Sequence, residues 1–126
     1  MKYERKFYKC SHCGNIIAFV ENAGVSIICC GEEMSEIKPN TVDAAREKHV
    51  PALSLDGGKL KVTVGSVPHP MTEEHNIMWI AVAEEKRTSR AMLSVGGAPE
   101  AEFCMTTNSA TVYAYCNLHG LWAVDL

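Results

Sequence analysis

The chain has 126 residues, a formal net charge of −3 and 47% hydrophobic residues, enough for one compact domain or a small one with a stapled appendage. Charged residues make up 21% and form no basic patch or stripe, which argues against nucleic acid as a partner. No apolar run approaches the roughly 20 residues that span a bilayer. The charged start MKYERKFYKC lacks the apolar stretch of a signal peptide, so a soluble, cytoplasmic protein with no membrane partner is expected.

Residues 1–37 carry four of the six cysteines. Strand-like pieces there are Phe7-Tyr8-Lys9, Ile16 to Val20 and Val25 to Ile28, with Glu21-Asn22-Ala23-Gly24 between the last two reading as a hairpin turn. So short a stretch cannot build its own core, and a metal staple is expected. Glu36 to Asn40 reads as a linker broken by Pro39, which divides the chain into domains 1–37 and 38–126. Thr41 to Arg46 can start one helical turn capped by Asn40 or Thr41.

The remainder reads as strands: Val50 to Leu55, the turn Asp56-Gly57-Gly58, the alternating Lys59 to Val64, then Ile77 to Ala83, Arg87 to Ser94, Ala101 to Thr106 and Thr111 to Tyr115. Short strands at near-regular intervals predict an all-β, antiparallel sandwich.

In a chain without a secretion signal, grouped cysteines point to metal or redox chemistry rather than disulfides. Cys10-Ser11-His12-Cys13-Gly14 is a knuckle that can bring two thiolates to one metal, and Cys29-Cys30 supplies a second, directly adjacent pair. Four thiolates accept zinc or a single iron equally well. Neighbouring cysteines cannot easily fill two undistorted tetrahedral vertices, so strain is expected at that corner. With four cysteines present, His12 is expected to be an exposed loop residue.

Four of the five histidines lie in the second half with only two cysteines, which implies a separate site. Three motifs carry it: Glu47-Lys48-His49-Val50-Pro51, His69-Pro70-Met71-Thr72-Glu73-Glu74-His75, and Cys116-Asn117-Leu118-His119-Gly120. All fall in loops or at strand ends, where a rigid scaffold can aim them at one point. Four imidazoles and one thiolate make five ligands and leave a sixth position open, which inner-sphere chemistry on a small anion needs. Zinc usually takes four.

These motifs, in this order and over nearly the whole chain, resemble desulfoferrodoxin, the two-centre class of superoxide reductase. The first part is similar to desulforedoxin through Cys10, Cys13, Cys29 and Cys30. The second is similar to the neelaredoxin-like catalytic domain through residues 41–45, 47–51 and 64–71, His75 and residues 116–122. The resemblance implies an immunoglobulin-like sandwich, a distorted Fe(Cys)₄ centre, and a second iron held by His49, His69, His75 and His119 with Cys116 axial. It also implies a homodimer, and reduction by rubredoxin or a related donor.

Glu47 and Lys48 are the catalytic residues it implies: the Glu closes on the open position in the oxidised resting form, and the Lys lies beside it. Superoxide approaching a negative protein needs such a cation, and Lys48 can hold a proton-donating water. One electron then converts superoxide to hydrogen peroxide without releasing dioxygen. A rubredoxin-like electron carrier, or a protein with two structural zincs, is the competing reading, and neither needs Lys48 or an open position. Cys104, outside both sites, reads as a small buried hydrophobe. Trp79 and Trp122 read as core, and Asn117 and Leu118 as turn-shaping residues.

Overall fold

A computed structural model describes residues 1–126, which divide into two compact units: Arg5–Lys38, and Met1–Glu4 together with Pro39–Leu126. The first four residues belong with the larger unit because they are bonded to it. The Lys2 N–H donates to the Asp125 carboxylate at 3.1 and 3.2 Å, and the Tyr3 N–H to Thr111 Oγ1 at 2.9 Å.

In the smaller unit, β1 (Phe7–Lys9) is the centre of a three-stranded antiparallel sheet between β2 (Ile16–Ala18) and β5 (Ser35–Ile37). The two-residue strands β3 (Ile28–Cys29) and β4 (Glu32–Glu33) form a hairpin of their own. The hairpin expected across residues 21–24 is absent, because β2 pairs with β1 and β3 with β4. Asn22 instead turns its side chain on the Gly24 N–H at 2.8 Å, a local alternative to a strand ladder. Nor is residue 36 a linker: Ser35–Ile37 pairs with β1, and the break comes at Pro39. Only Phe7, Cys10 and Met34 are buried apolar residues here, far short of a self-sufficient core.

The larger unit stacks a three-stranded sheet, β10 (Glu100–Cys104), β7 (Lys59–Val64) and β6 (Pro51–Asp56), with a four-stranded one. The second sheet runs β12 (Gly120–Asp125), β11 (Thr111–Cys116), β8 (Ile77–Glu84) and β9 (Arg87–Met92). Every pairing is antiparallel, giving the seven strands of an immunoglobulin-type sandwich. Gly57 and Gly58, both at positive φ, make the two-residue turn between β6 and β7.

The core is the inward rows of β7, β8, β10 and β11, namely Leu60, Val62 and Val64; Ile77, Ile80 and Val82; Phe103; Val112, Ala114 and Cys116, with Leu53 and Leu55 of β6, Ala91 of β9 and Val124 of β12 packed against them. The register of β8 against β11 skips Met78, so Tyr115 faces Trp79 and Cys116 faces Ile77. This bulge keeps Ile77 on the core side, where unbroken alternation would turn it out. Strand β12 had no counterpart among the expected strands. Cys104 is exposed rather than buried, because alternation points Phe103 inward opposite Leu60 and Cys104 outward opposite Lys59.

The short helix α1 is Arg46–His49, later than expected, and its N-cap Ala45 makes no side-chain bond. Asn40, expected as a cap, sits at φ 61 and clasps β12. Its amide exchanges bonds with Ala123 at 3.0 and 3.2 Å, and its N–H donates to the Leu121 carbonyl at 2.9 Å.

Candidate metal centres

The sulfurs of Cys10, Cys13, Cys29 and Cys30 all lie within 4.8 Å of one another. The knuckle forms because Gly14, at φ 82, lets its N–H return to the Cys10 carbonyl at 3.0 Å. The adjacent pair is reconciled by the hairpin. Cys29 ends β3, and Cys30-Gly31 are the two turn residues, at φ 52 and 77. Positive φ is uncommon for a residue with a Cβ, so the adjacent pair reaches one cluster through an uncommon backbone conformation at Cys30. His12 is exposed as expected and pairs with Glu32 at 3.0 Å, joining knuckle to hairpin.

The N–H groups of Cys13 and His12 bond the Cys10 sulfur and hold it down to about 6, so one thiolate forms readily. Hydrogen bonding to the Cys13 and Cys10 sulfurs pushes Cys29 up, and Cys30 up to about 12. Four such crowded sulfurs ionise together only around a cation.

In the sandwich, four imidazoles form a closed ring in the order His49, His69, His75, His119. Neighbouring centroids are 4.7, 4.5, 5.0 and 4.9 Å apart, with interplanar angles of 72° to 90°. The diagonal from His49 to His75 is 6.3 Å. In a tetrahedral set all separations would be alike; a diagonal longer than every side is the signature of a square. Cys116 joins from the core row of β11, its thiol fully buried. Ligand atoms of His49, His75, Cys116 and His119 lie mutually within 4.8 Å; His69 stands outside that set and closes the ring through His49 and His75.

Backbone carbonyls decide which nitrogens face inward. His49 Nδ1 donates to the Ala45 carbonyl at 2.6 Å and His69 Nδ1 to the Pro70 carbonyl at 2.7 Å. Their Nε2 atoms therefore carry lone pairs, and these lie only 3.2 Å apart. His119 turns the other nitrogen inward, with Nδ1 3.1 Å from His49 Nε2. Facing lone pairs require a proton or a metal ion between them. Burial lowers His49 and His75, and lowers His69 to about 4, which disfavours the proton. His75 Nε2 is buried with no hydrogen-bond partner, an orphan that a metal would satisfy. Five nitrogen and sulfur donors, four of them in a square, suit iron better than tetrahedral zinc.

Burial raises the Cys116 thiol, while the N–H groups of His119, at 3.4 Å, and Leu118 favour its thiolate. Trp122 stacks on His49 at 5.0 Å and donates its indole N–H to the His119 carbonyl at 3.1 Å. Glu47 and Lys48 are exposed on α1 beside buried His49, and the Lys48 charge is felt at both His49 and His75. The Glu47 carbonyl accepts from the Val67 N–H at 2.9 Å and Ser66 Oγ at 3.2 Å. A Cβ on Gly65 would lie 2.5 Å from that same oxygen. Residues 65–67 thus fix the backbone of the Glu47-Lys48 turn, an anchoring that no local motif revealed.

Fold and site together define a β protein with two metal-ligand clusters, one of four thiols and one of four imidazoles and a thiol. Residues 41–125 match the family model "Desulfoferrodoxin", and residues 3–37 match "Desulfoferrodoxin, N-terminal domain". The chain is 44% identical to desulfoferrodoxin of Nitratidesulfovibrio vulgaris over 125 residues, covering 99% of each chain. It is 42% identical to desulfoferrodoxin of Clostridium acetobutylicum, covering 100% of each. The crystal structure of superoxide reductase from Treponema pallidum superposes with a TM-score of 0.79 at 38% identity, over 96% of this chain and 98% of that one. The one-iron superoxide reductase of Giardia intestinalis matches 64% of this chain and 97% of its own, with a TM-score of 0.56 and 33% identity. The chain belongs to the desulfoferrodoxin family.

Proposed function

We propose that this protein is a superoxide reductase with two iron centres, reducing superoxide to hydrogen peroxide at the imidazole–thiolate site. The observation that carries this reading is the ring of four imidazoles with the buried Cys116 thiol among their ligand atoms, beside an exposed lysine. His49, His69, His75, His119 and Cys116 would hold an iron, which when bound would supply the single electron and be re-reduced by an external donor, and Cys10, Cys13, Cys29 and Cys30 would hold a second.

The chain's own residues do the rest. The Lys48 ammonium attracts the superoxide anion against a net charge of −3 and holds, at Nζ, a water that can give up a proton. Two protons and one electron convert superoxide to hydrogen peroxide. The N–H groups on the Cys116 sulfur stabilise its thiolate. Trp122 holds the His49 ring plane, and carbonyls 45 and 70 hold the His49 and His69 tautomers. The Glu47 carboxylate, next to Lys48, is the anion that closes the site between turnovers. The electron donor is a rubredoxin-like protein or another reductase, and the enzyme works in the cytoplasm as a homodimer. No helix is long and apolar enough to cross a membrane.

The test is a titration of anaerobically reduced protein with superoxide, following ferrous iron, peroxide and dioxygen together. One superoxide consumed per imidazole-site iron, with peroxide and no dioxygen, is expected. Dioxygen would make the site a dismutase. No reaction from iron-loaded protein would make it an electron carrier.

A further inference from the structure

Three of the four imidazoles have a ring nitrogen engaged. His49 and His69 bond carbonyls through Nδ1, and His119 sets its Nδ1 3.1 Å from His49 Nε2. His75 has no such support. Its Nε2 is buried without a hydrogen-bond partner, and it lies in the loop between β7 and β8, half-buried. Its place in the square depends on how its peptide groups are held.

Thr72 holds them from within the loop, its N–H and hydroxyl on the His75 carbonyl at 2.9 and 3.2 Å, and Asn117 holds them from across the site. The Asn76 N–H donates to Asn117 Oδ1 at 2.9 Å, and Asn117 Nδ2 donates to the Glu74 carbonyl at 2.9 Å. The Asn117 N–H also donates to the Asn76 carbonyl at 3.2 Å. Asn117 thus grips the residues on both sides of His75 while being bonded covalently to Cys116. The loop is tightened underneath. Asn76 Nδ2 donates to the Thr72 carbonyl at 2.9 Å, and the Thr72 hydroxyl accepts the His75 N–H at 3.1 Å.

We infer that Asn117 is a positioning residue that sets His75 against Cys116, completing the metal square through peptide groups rather than through the imidazole itself. Resting on the superoxide reductase reading only for its purpose, the inference concerns metal retention. An alanine at 117 keeps the backbone bond to the Asn76 carbonyl but loses the side-chain bonds to the Glu74 carbonyl and the Asn76 N–H, so both peptide groups flanking His75 lose their cross-site hold and His75 leaves the ring more often. Residues that orient ligands are typically worth about 10- to 100-fold in metal affinity.

The experiment uses full-length, iron-loaded, reduced protein and measures release of ferrous iron to a chelator, with Mössbauer spectra of the retained iron assigning the loss to one centre. Asn117→Ala should lose imidazole-site iron about 10- to 100-fold faster than the unaltered protein, with Cys₄ iron lost at the unaltered rate. Thr107→Ala, which removes a hydroxyl bond to buried Glu84, is the control for general destabilisation. It should not change imidazole-site release. If Asn117→Ala fails to accumulate, Asn117→Ser takes its place. Iron release no faster than in the Thr107→Ala control would overturn the inference. If the unaltered protein failed to reduce superoxide, the functional reading would fall, while the contrast in iron release would still stand or fall by itself.

Discussion

Replacing Gly65 by alanine probes whether the Glu47-Lys48 turn must be held in place for fast superoxide capture. Gly65 carries no positive φ, so alanine is allowed by the backbone, and any effect comes from space. The added Cβ would meet the Glu47 carbonyl oxygen at 2.5 Å and the Lys48 carbonyl carbon and Val50 carbonyl oxygen at 3.0 Å. That is about 1 Å inside the roughly 3.5 Å at which non-bonded heavy atoms sit comfortably. All three neighbours are backbone, so the turn itself must move, and the Glu47 carbonyl would leave the Val67 N–H and Ser66 hydroxyl. Overpacking costs about 1–3 kcal/mol, and the lost bond to Val67 about 1 kcal/mol more. A misplacement of about 1 Å near the chemistry can cost on the order of 100-fold in rate. Pulse-radiolysis measurement of superoxide consumption, with a thermal scan of the same preparation, reads both. We expect a Gly65→Ala rate reduced by one to two orders of magnitude and a melting point about 10 °C lower. A variant that melts early but consumes superoxide at the unaltered rate would refute the claim that this turn's position sets the rate.

Lys48→Ala should slow superoxide consumption about tenfold at low ionic strength and flatten its salt dependence; an unchanged low-salt rate would remove Lys48 from the steering role. Chelating the metal from residues 10–30 should strip hydrogen-exchange protection from Arg5–Lys38, whose only buried apolar residues are Phe7, Cys10 and Met34, while the sandwich keeps its own. Burial opposes ionisation of Glu84, but the N–H and hydroxyl groups of Thr106 and Thr107 outweigh it and hold the carboxyl below its ordinary 4.5. The folded value being depressed, this stabilisation is complete above about pH 4.5 and is lost as pH falls through the folded value. Acid unfolding of Glu84→Gln, followed by circular dichroism, should therefore show a shallower loss of stability below that pH than the unaltered protein shows.

The ligand types and their grouping were legible in the sequence because thiols and imidazoles recur there at short, ligand-like spacings. Cys10 with Cys13, Cys29 with Cys30 and Cys116 with His119 each declare themselves within four residues. The strands were legible where alternation was clean, as in Lys59 to Val64, and the turn at Gly57-Gly58 followed from its residues. Strand β12 was not: its apolar run, Leu121 to Val124, is short and lacks alternation, whereas the equally unalternating Ile77 to Ala83 is long enough to read as a buried strand. The hairpin across residues 21–24 failed for a related reason: turn chemistry marks where a chain bends, not which strands it pairs.

What composition and spacing determine about this protein is therefore the chemistry available to it: an all-thiol cluster, an imidazole–thiol cluster, and a lysine beside the latter. Only the tertiary structure decided how that chemistry is aimed. The square order of the imidazoles, the inward Nδ1 of His119 against the inward Nε2 of His49 and His69, and the grip of Asn117 on both flanks of His75 arise between residues 20 to 70 positions apart. Spacing along a chain reports which groups can share a local turn. The His49 and His69 lone pairs are set by carbonyls four and one residues away, but what those lone pairs face is a ring 20 or 70 positions distant, which arrives only once the sandwich has closed.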